Sequence, residues 1–236
     1  MQPWEAEARR FVERETAFHL GALPTEQSHP LTRSLSQTLA QDVVAGVQQL
    51  LAVDHALLPR LDEALHEPGW SALAASLETA LTRARRVVFS GCGATGRLAI
   101  LLEAAYRRFR ATPAGDCLPD TVFSIMTGGD YALVRSVESF EDHAAFGRRQ
   151  VEDLTLGPGD VLVAITEGGE TSSVIGTAQE ARERGATVFF VFNNPADVLR
   201  EHVQRSRDIL KAPGVTALDL STGPMAIAGS TRMQAT

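Results

Sequence analysis

The feature that most constrains this chain is a rhythm. From Val87 onward, short β-branched or aromatic runs alternate with helical stretches, joined by glycine-rich or polar turns. Residues 87–90, 122–126, 161–165 and 187–192 read as strands, and residues 97–110, 141–153 and 174–184 as helices. A last strand is expected at Ile209-Leu210 or within residues 215–220. Such alternation predicts an α/β fold: a doubly wound parallel sheet covered by helices on both faces. Ligands of such sheets bind at the carboxyl ends of the strands, where strand order reverses.

The first third of the chain reads as helix. Residues 4–20 interleave charged and apolar side chains, and the stretch GALPTEQSHP then breaks the pattern at Pro24 and Pro30. Across residues 31–65 apolar side chains recur at helical spacing (Leu35, Leu39, Val43, Val47, Leu50, Leu51), with Pro59 placed near a helix start. Pro68-Gly69 reads as a second break, and residues 70–84 as a further helix. Two parts are expected: a helical segment over residues 1–70 and an α/β domain over residues 71–236. The ending GSTRMQAT looks like the opening of a helix that does not follow, so the chain is expected to be a shortened one.

Charge and cysteine usage narrow the function classes. A formal net charge of -7 gives no basic face for nucleic acid. The two cysteines, Cys92 and Cys117, form no CxxC pair, and the six histidines have no metal-ligand spacing. No metal and no cofactor are expected. The charged start MQPWEAEARRFVERE lacks the apolar core of a signal peptide, and no apolar run is long enough to span a membrane. A reducing cytoplasm is the expected location.

Two turns carry the chemistry. The first, in VVFSGCGATGRLAI, spells GxGxxG with Gly91, Gly93 and Gly96, and adds Cys92, Ala94 and the hydroxyl of Thr95. Glycines let the backbone approach an anion closely, and the unpaired N–H groups of a following helix can hold it. Three readings stand: a dinucleotide pyrophosphate, a smaller phosphate, or tight strand–helix packing with no ligand. A dinucleotide needs an acidic residue at the end of the second strand. Asp116 and Asp120 fall before that strand and Asp130 falls beyond it, which weakens this reading. The nucleotide P-loop fails, because no Gly-Lys-Ser/Thr follows. The second turn, TEGGETSSVIG, offers Gly168, Gly169, Thr171, Ser172 and Ser173, and favours a compact phosphorylated ligand shared between the two loops. Glu167 and Glu170 would repel phosphate. They suit sugar hydroxyls, or serve as charges at a helix start. Glu138, Glu141 and Asp142 cluster near another helix start, where a carboxylate beside the loops can act as general acid or base.

Taken together, TEQSHP, GCGATGRL, MTGGDYALVRSVESFED, AITEGGETSSVIG and GPMAIAGSTRM resemble the sugar isomerase (SIS) domain. Within it they resemble the branch of N-acetylmuramic acid 6-phosphate etherases and glucokinase regulatory proteins. The resemblance runs from Thr25 to the end and implies a flavodoxin-like three-layer sandwich and a sugar-phosphate site without metal. It also implies a homodimer whose second subunit completes the site. Phosphate would lie against Ala94, Thr95 and residues 168–172, with Ser230 also at the substrate. Etherase chemistry would remove the C2 proton, eliminate lactate from C3 and add water. One of the two family glutamates maps onto Glu141. The other position holds Ala105, and the nearby Glu103 lies about 200° away round a helix of ~3.6 residues per turn. Gly168 stands where the family has a phosphate-binding serine, and Ala94-Thr95 where it usually has two hydroxyls. Two functions follow as expectations: a lyase using Glu141 and Glu103, or a sugar-phosphate sensor that regulates a protein partner without chemistry.

Overall fold

The computed structural model describes residues 2–14, 19–135 and 137–228. Five strands form one wholly parallel sheet: β1 (Val87–Gly91), β2 (Val122–Met126), β3 (Val161–Ile165), β4 (Thr187–Phe192) and β5 (Val215–Asp219). Their order is β2-β1-β3-β4-β5. The chain leaves β1 in one direction to lay down β2 and returns to the other side for β3. Strand order therefore reverses between β1 and β3, the flavodoxin-type arrangement.

Among the described residues ten α-helices accompany the strands. In chain order they are α1 (Pro3–Arg14), α2 (Leu35–Gln41), α3 (Val43–Leu65), α4 (Pro68–Thr82), α5 (Gly93–Arg110), α6 (Tyr131–Val134), α7 (Ala144–Asp153), α8 (Ser172–Glu183), α9 (Ala196–His202) and α10 (Gln204–Leu210). Side chains on a strand alternate between its faces, and the core follows that period of two. Val188, Phe190 and Phe192 join Val174, Ile175, Leu199 and Ile209 on one face. Phe189 and Val191 join Leu73, Ala80 and Leu218 on the other. A sheet buried on both sides explains why VLVAI and TVFFVF are continuous apolar runs.

The first four strands appear where the sequence places them, and the helix boundaries are where it differs. The glycine turn is itself the first turn of α5, which begins at Gly93 rather than Arg97. The helix expected from Glu141 starts at Ala144, because a 3-10 turn at Glu138–Phe140 and an extended His143 precede it. Phe140 stacks on Phe146, with ring centroids 4.4 Å apart, and pins that turn to α7. Asp42 interrupts the long N-terminal pattern with an extended backbone (φ -148°, ψ 105°) and caps the amide of Ala45. Pro59 lies inside α3, not at a start, and Pro68 opens α4 instead of ending a helix. The first helix is described from Pro3 to Arg14, and residues 15–18 of the expected helix lie outside the described residues. The Ile209-Leu210 alternative for the last strand is the end of α10, whose Ile209 is buried, and β5 takes the later position. Among the described residues no helix is long and apolar enough to cross a membrane.

Candidate functional site

The loop after β1 and the loop after β3 flank the point where strand order reverses, since Ser90 of β1 pairs with Ala164 of β3. Between them lies a cavity of about 210 Å³. Its walls are Cys92, Gly93, Ala94 and Thr95 from the first loop, Thr166, Glu167, Glu170 and Thr171 from the second, and Glu26 and Glu141.

Each glycine of the first loop has its own reason. A Cβ on Gly91 would lie 2.6 Å from the carbonyl carbon of Thr95, and one on Gly96 would lie 2.8 Å from Cγ of Met126. Those two glycines let α5 start hard against the sheet. Gly93 is different: its φ is +56° and nothing stands within 4 Å of the missing Cβ. Its backbone faces open space at the N-terminus of an 18-residue helix whose N-cap, Cys92, makes no side-chain cap. Unpaired amides at such an end attract an anion.

The second loop is held from behind. Asn194, fully buried, donates to the carbonyl of Gly168 at 3.0 Å and to Oγ1 of Thr25 at 2.8 Å, and accepts from the amide of Thr25 at 3.1 Å. Ser206 donates to the carbonyl of Gly169 at 2.7 Å. Arg205 pairs with the Glu170 carboxylate and donates to the Glu170 carbonyl. The Asn194–Thr25 bonds bring Glu26 to the cavity. Burial, and then the Glu170 charge, push the Glu26 carboxyl above the usual carboxylate range.

Glu141 reaches the same place through helix packing. Helices α7 and α8 cross so closely that a Cβ on Gly147 would sit 1.8 Å from the carbonyl oxygen of Ser173. One on Gly176 would sit 2.1 Å from that of Ala144. The amide of Ser173 then donates to the carbonyl of Glu141 at 2.9 Å. Oε2 of Glu141 accepts from the Cys92 thiol at 3.4 Å. The thiol is pushed up to about 11, chiefly by burial, against a lowering Thr127 hydroxyl and with a further rise from Glu141. Thr127 in turn shares a 2.8 Å hydrogen bond with buried Ser173.

Of the residues expected at the site, the cavity lining brings together Cys92, Gly93, Ala94, Thr95, Glu141, Glu167, Glu170 and Thr171. Ser172 lines an adjoining recess with Glu141, Glu170 and Arg205. Gly91, Gly96, Gly168 and Gly169 shape the loops from behind the cavity wall. Glu103 is not brought to the cavity. It accepts from the Ser124 hydroxyl of β2 at 2.5 Å and pairs with Arg107 at 3.0 Å, on the side of α5 turned to the sheet edge. Ser230 lies outside the described residues. Glu26, Thr166, Arg205 and Thr127 are additions. Glu26 sits within TEQSHP, so that motif could have suggested it, whereas Arg205 lies on α10, which the sequence pattern did not reveal.

Residues 72–181 match the N-terminal SIS domain of glucokinase regulatory protein. That segment is similar to an SIS domain. The chain is 34% identical over 215 residues to an N-acetylmuramic acid 6-phosphate etherase of Deinococcus radiodurans, covering 89% of this chain and 62% of that one. It is 29% identical over 217 residues to N-acetylmuramic acid 6-phosphate etherase 1 of Bacillus licheniformis, covering 92% and 64%. It thus spans less than two thirds of these relatives' lengths. A phosphoheptose isomerase from Francisella tularensis has the same fold, with a TM-score of 0.54 at 16% identity over 74% of this chain and 85% of that one.

Proposed function

We propose that the cavity between the two loops binds a phosphorylated amino sugar, and that the chain is the sugar-phosphate part of a carbon–oxygen lyase acting on N-acetylmuramic acid 6-phosphate. The observation that carries this reading is the meeting of Glu141 with both loops in one cavity. The helix N-terminus beyond Gly93 and the hydroxyls of Thr95, Thr166 and Thr171 suit a phosphate. The carboxylates Glu26, Glu167 and Glu170 suit sugar hydroxyls.

In this reading Glu141 takes the proton from C2 of the open-chain sugar, where the C1 carbonyl makes it acidic. The electrons of the C2–H bond form the C2=C3 double bond as the C3–O bond breaks. Lactate leaves with the proton from Glu141. Glu141 then takes a proton from water as its hydroxyl adds to C3, and returns that proton to C2. Glu103 has no place in these steps, because it is held by Ser124 and Arg107. Residues 1–70 act as a helical extension to an SIS domain over 71–236, in a cytoplasmic homodimer.

Release of lactate from N-acetylmuramic acid 6-phosphate tests the lyase. Turnover by the unaltered chain, lost in Glu141→Gln with sugar-phosphate binding retained, is the expected result. Absence of lactate with retained binding favours a second reading, a sugar-phosphate sensor that regulates a protein partner. Ala105 at the second family glutamate position, with Glu103 engaged elsewhere, is the observation on its side.

A further inference from the structure

A larger cavity, about 350 Å³, adjoins the one between the loops and shares Cys92, Gly93 and Glu141 with it. Its character is opposite. The loop cavity is walled by four carboxylates, Glu26 and Glu141 among them. The larger one is lined by two arginines, Arg97 and Arg135, with the hydroxyl-bearing Thr127 beside them.

Neither arginine makes an ion pair among the described residues, whereas the Arg205 guanidinium nearby is taken up by Glu170. The place of Arg97 is also unfavourable for the helix that carries it. It lies one turn inside α5, at the end where the helix dipole is positive and disfavours a cation. A guanidinium set at that end, unpaired and facing a cavity, is suited to an anion arriving from outside.

We infer that Arg97 and Arg135 form a second anion subsite, which takes the carboxylate of an acidic substituent on the sugar whose phosphate lies in the loop cavity. This rests on the sugar-phosphate reading above and adds to it the selection of substrate. The phosphate on C6 and an ether-linked acid on C3 project from opposite ends of the sugar. A ligand with both anions therefore spans the two cavities, and its C2 and C3 come to lie at their common wall, where Glu141 stands. The arginines thus place the leaving group, and Glu141 meets the carbon that must lose its proton.

The test is calorimetric binding of two probes to the full chain carrying Glu141→Gln, which prevents turnover. N-acetylmuramic acid 6-phosphate carries the acid, and N-acetylglucosamine 6-phosphate lacks it. The acid-bearing sugar should bind at least about tenfold more tightly, a difference of one decade in Kd. Adding Arg97→Gln and Arg135→Gln together should bring the two affinities within about threefold of each other by weakening the acid-bearing sugar alone. Unchanged binding of N-acetylglucosamine 6-phosphate shows that the variant is folded and its phosphate site intact. Equal loss for both sugars would assign the arginines to the phosphate and overturn the inference. Unaltered discrimination would overturn it as well. If neither sugar binds before the arginines are changed, the sugar-phosphate reading itself falls, and the subsite with it.

Discussion

The thiol of Cys92 donates to Oε2 of Glu141 across 3.4 Å, joining the first residue after β1 to the acidic segment ahead of α7. A closed circuit results. Ser173 holds the Glu141 backbone and shares a hydrogen bond with Thr127. Thr127 bonds the Cys92 sulfur, and Cys92 returns to the Glu141 side chain. Three elements thereby fix one carboxylate.

The circuit predicts how Cys92 titrates. Burial and Glu141 both disfavour the thiolate, so the thiol should stay protonated to about 11. In a Cys117→Ser background, the pH dependence of Cys92 alkylation reads this directly. Glu141→Gln removes a nearby charge and replaces the carboxylate acceptor of the S–H bond by a neutral amide oxygen, and should lower the midpoint. An alkylation midpoint of the same value in both proteins would show that the contact does not exist in solution.

Glu26 carries a pH-dependent cost. Its carboxyl is raised above its ordinary value of 4.5 by burial and by Glu170. A group raised in the folded state favours folding fully below its unfolded value, and that contribution is lost as pH rises through the folded value. Glu26→Gln should therefore leave stability unchanged in acid below 4.5. It should become stabilising relative to the unaltered chain as pH rises toward neutrality. Urea unfolding at a series of pH values checks both the sign and the window.

The crossing of α7 and α8 leaves no room for a methyl group. Gly176→Ala places a Cβ 2.1 Å from the Ala144 carbonyl oxygen, a backbone atom that yields only if the helices part. A loss of about 1–3 kcal/mol in unfolding free energy is expected, as for other overpacked cores. Weaker sugar-phosphate binding should accompany it, because the Ser173–Glu141 bond spans the same crossing. A variant as stable as the parent would contradict this packing.

Gly93 separates backbone need from packing need. With φ at +56° and open space above it, Gly93→Ala should cost about 1–2 kcal/mol of backbone strain. It should also cover the approach to the α5 amides, so phosphate-dependent binding should fall further than stability does. Thr95→Val, which removes a hydroxyl from the same wall, should weaken binding with little loss of stability. Calorimetry beside thermal unfolding distinguishes the two effects.

What the sequence makes legible follows from the range of the forces involved. The interior strands are visible because a strand buried on both faces must be continuously apolar, as in TVFFVF. The first loop is visible because Gly91 and Gly96 meet a packing demand and Gly93 a backbone one. Glu141 could be placed on a helix start but not at the cavity by periodicity alone, since its position depends on the contact of Gly147 with Ser173. Arg205 is hidden for a similar reason. It acts from α10, a short helix whose burial against the second loop is settled by Ser206 and Gly169. Glu103 shows the reverse case: its type suits chemistry, but Ser124 on the neighbouring strand claims it.

The order of strands has a consequence for how the protein acquires its site. β1 and β3 are neighbours in the sheet but not in the chain, since β2 and its helix intervene. The glycine motif after β1 can form as soon as its own strand and helix dock. The cavity cannot, because its other wall arrives only when β3 completes a long-range pairing, a slow class of folding event. A nascent chain that has emerged only as far as β2 would carry the whole GCGATGRL signature and still be unable to hold a sugar. Ligand capture is in this sense a late checkpoint of folding: a bound sugar phosphate certifies that the centre of the sheet has closed.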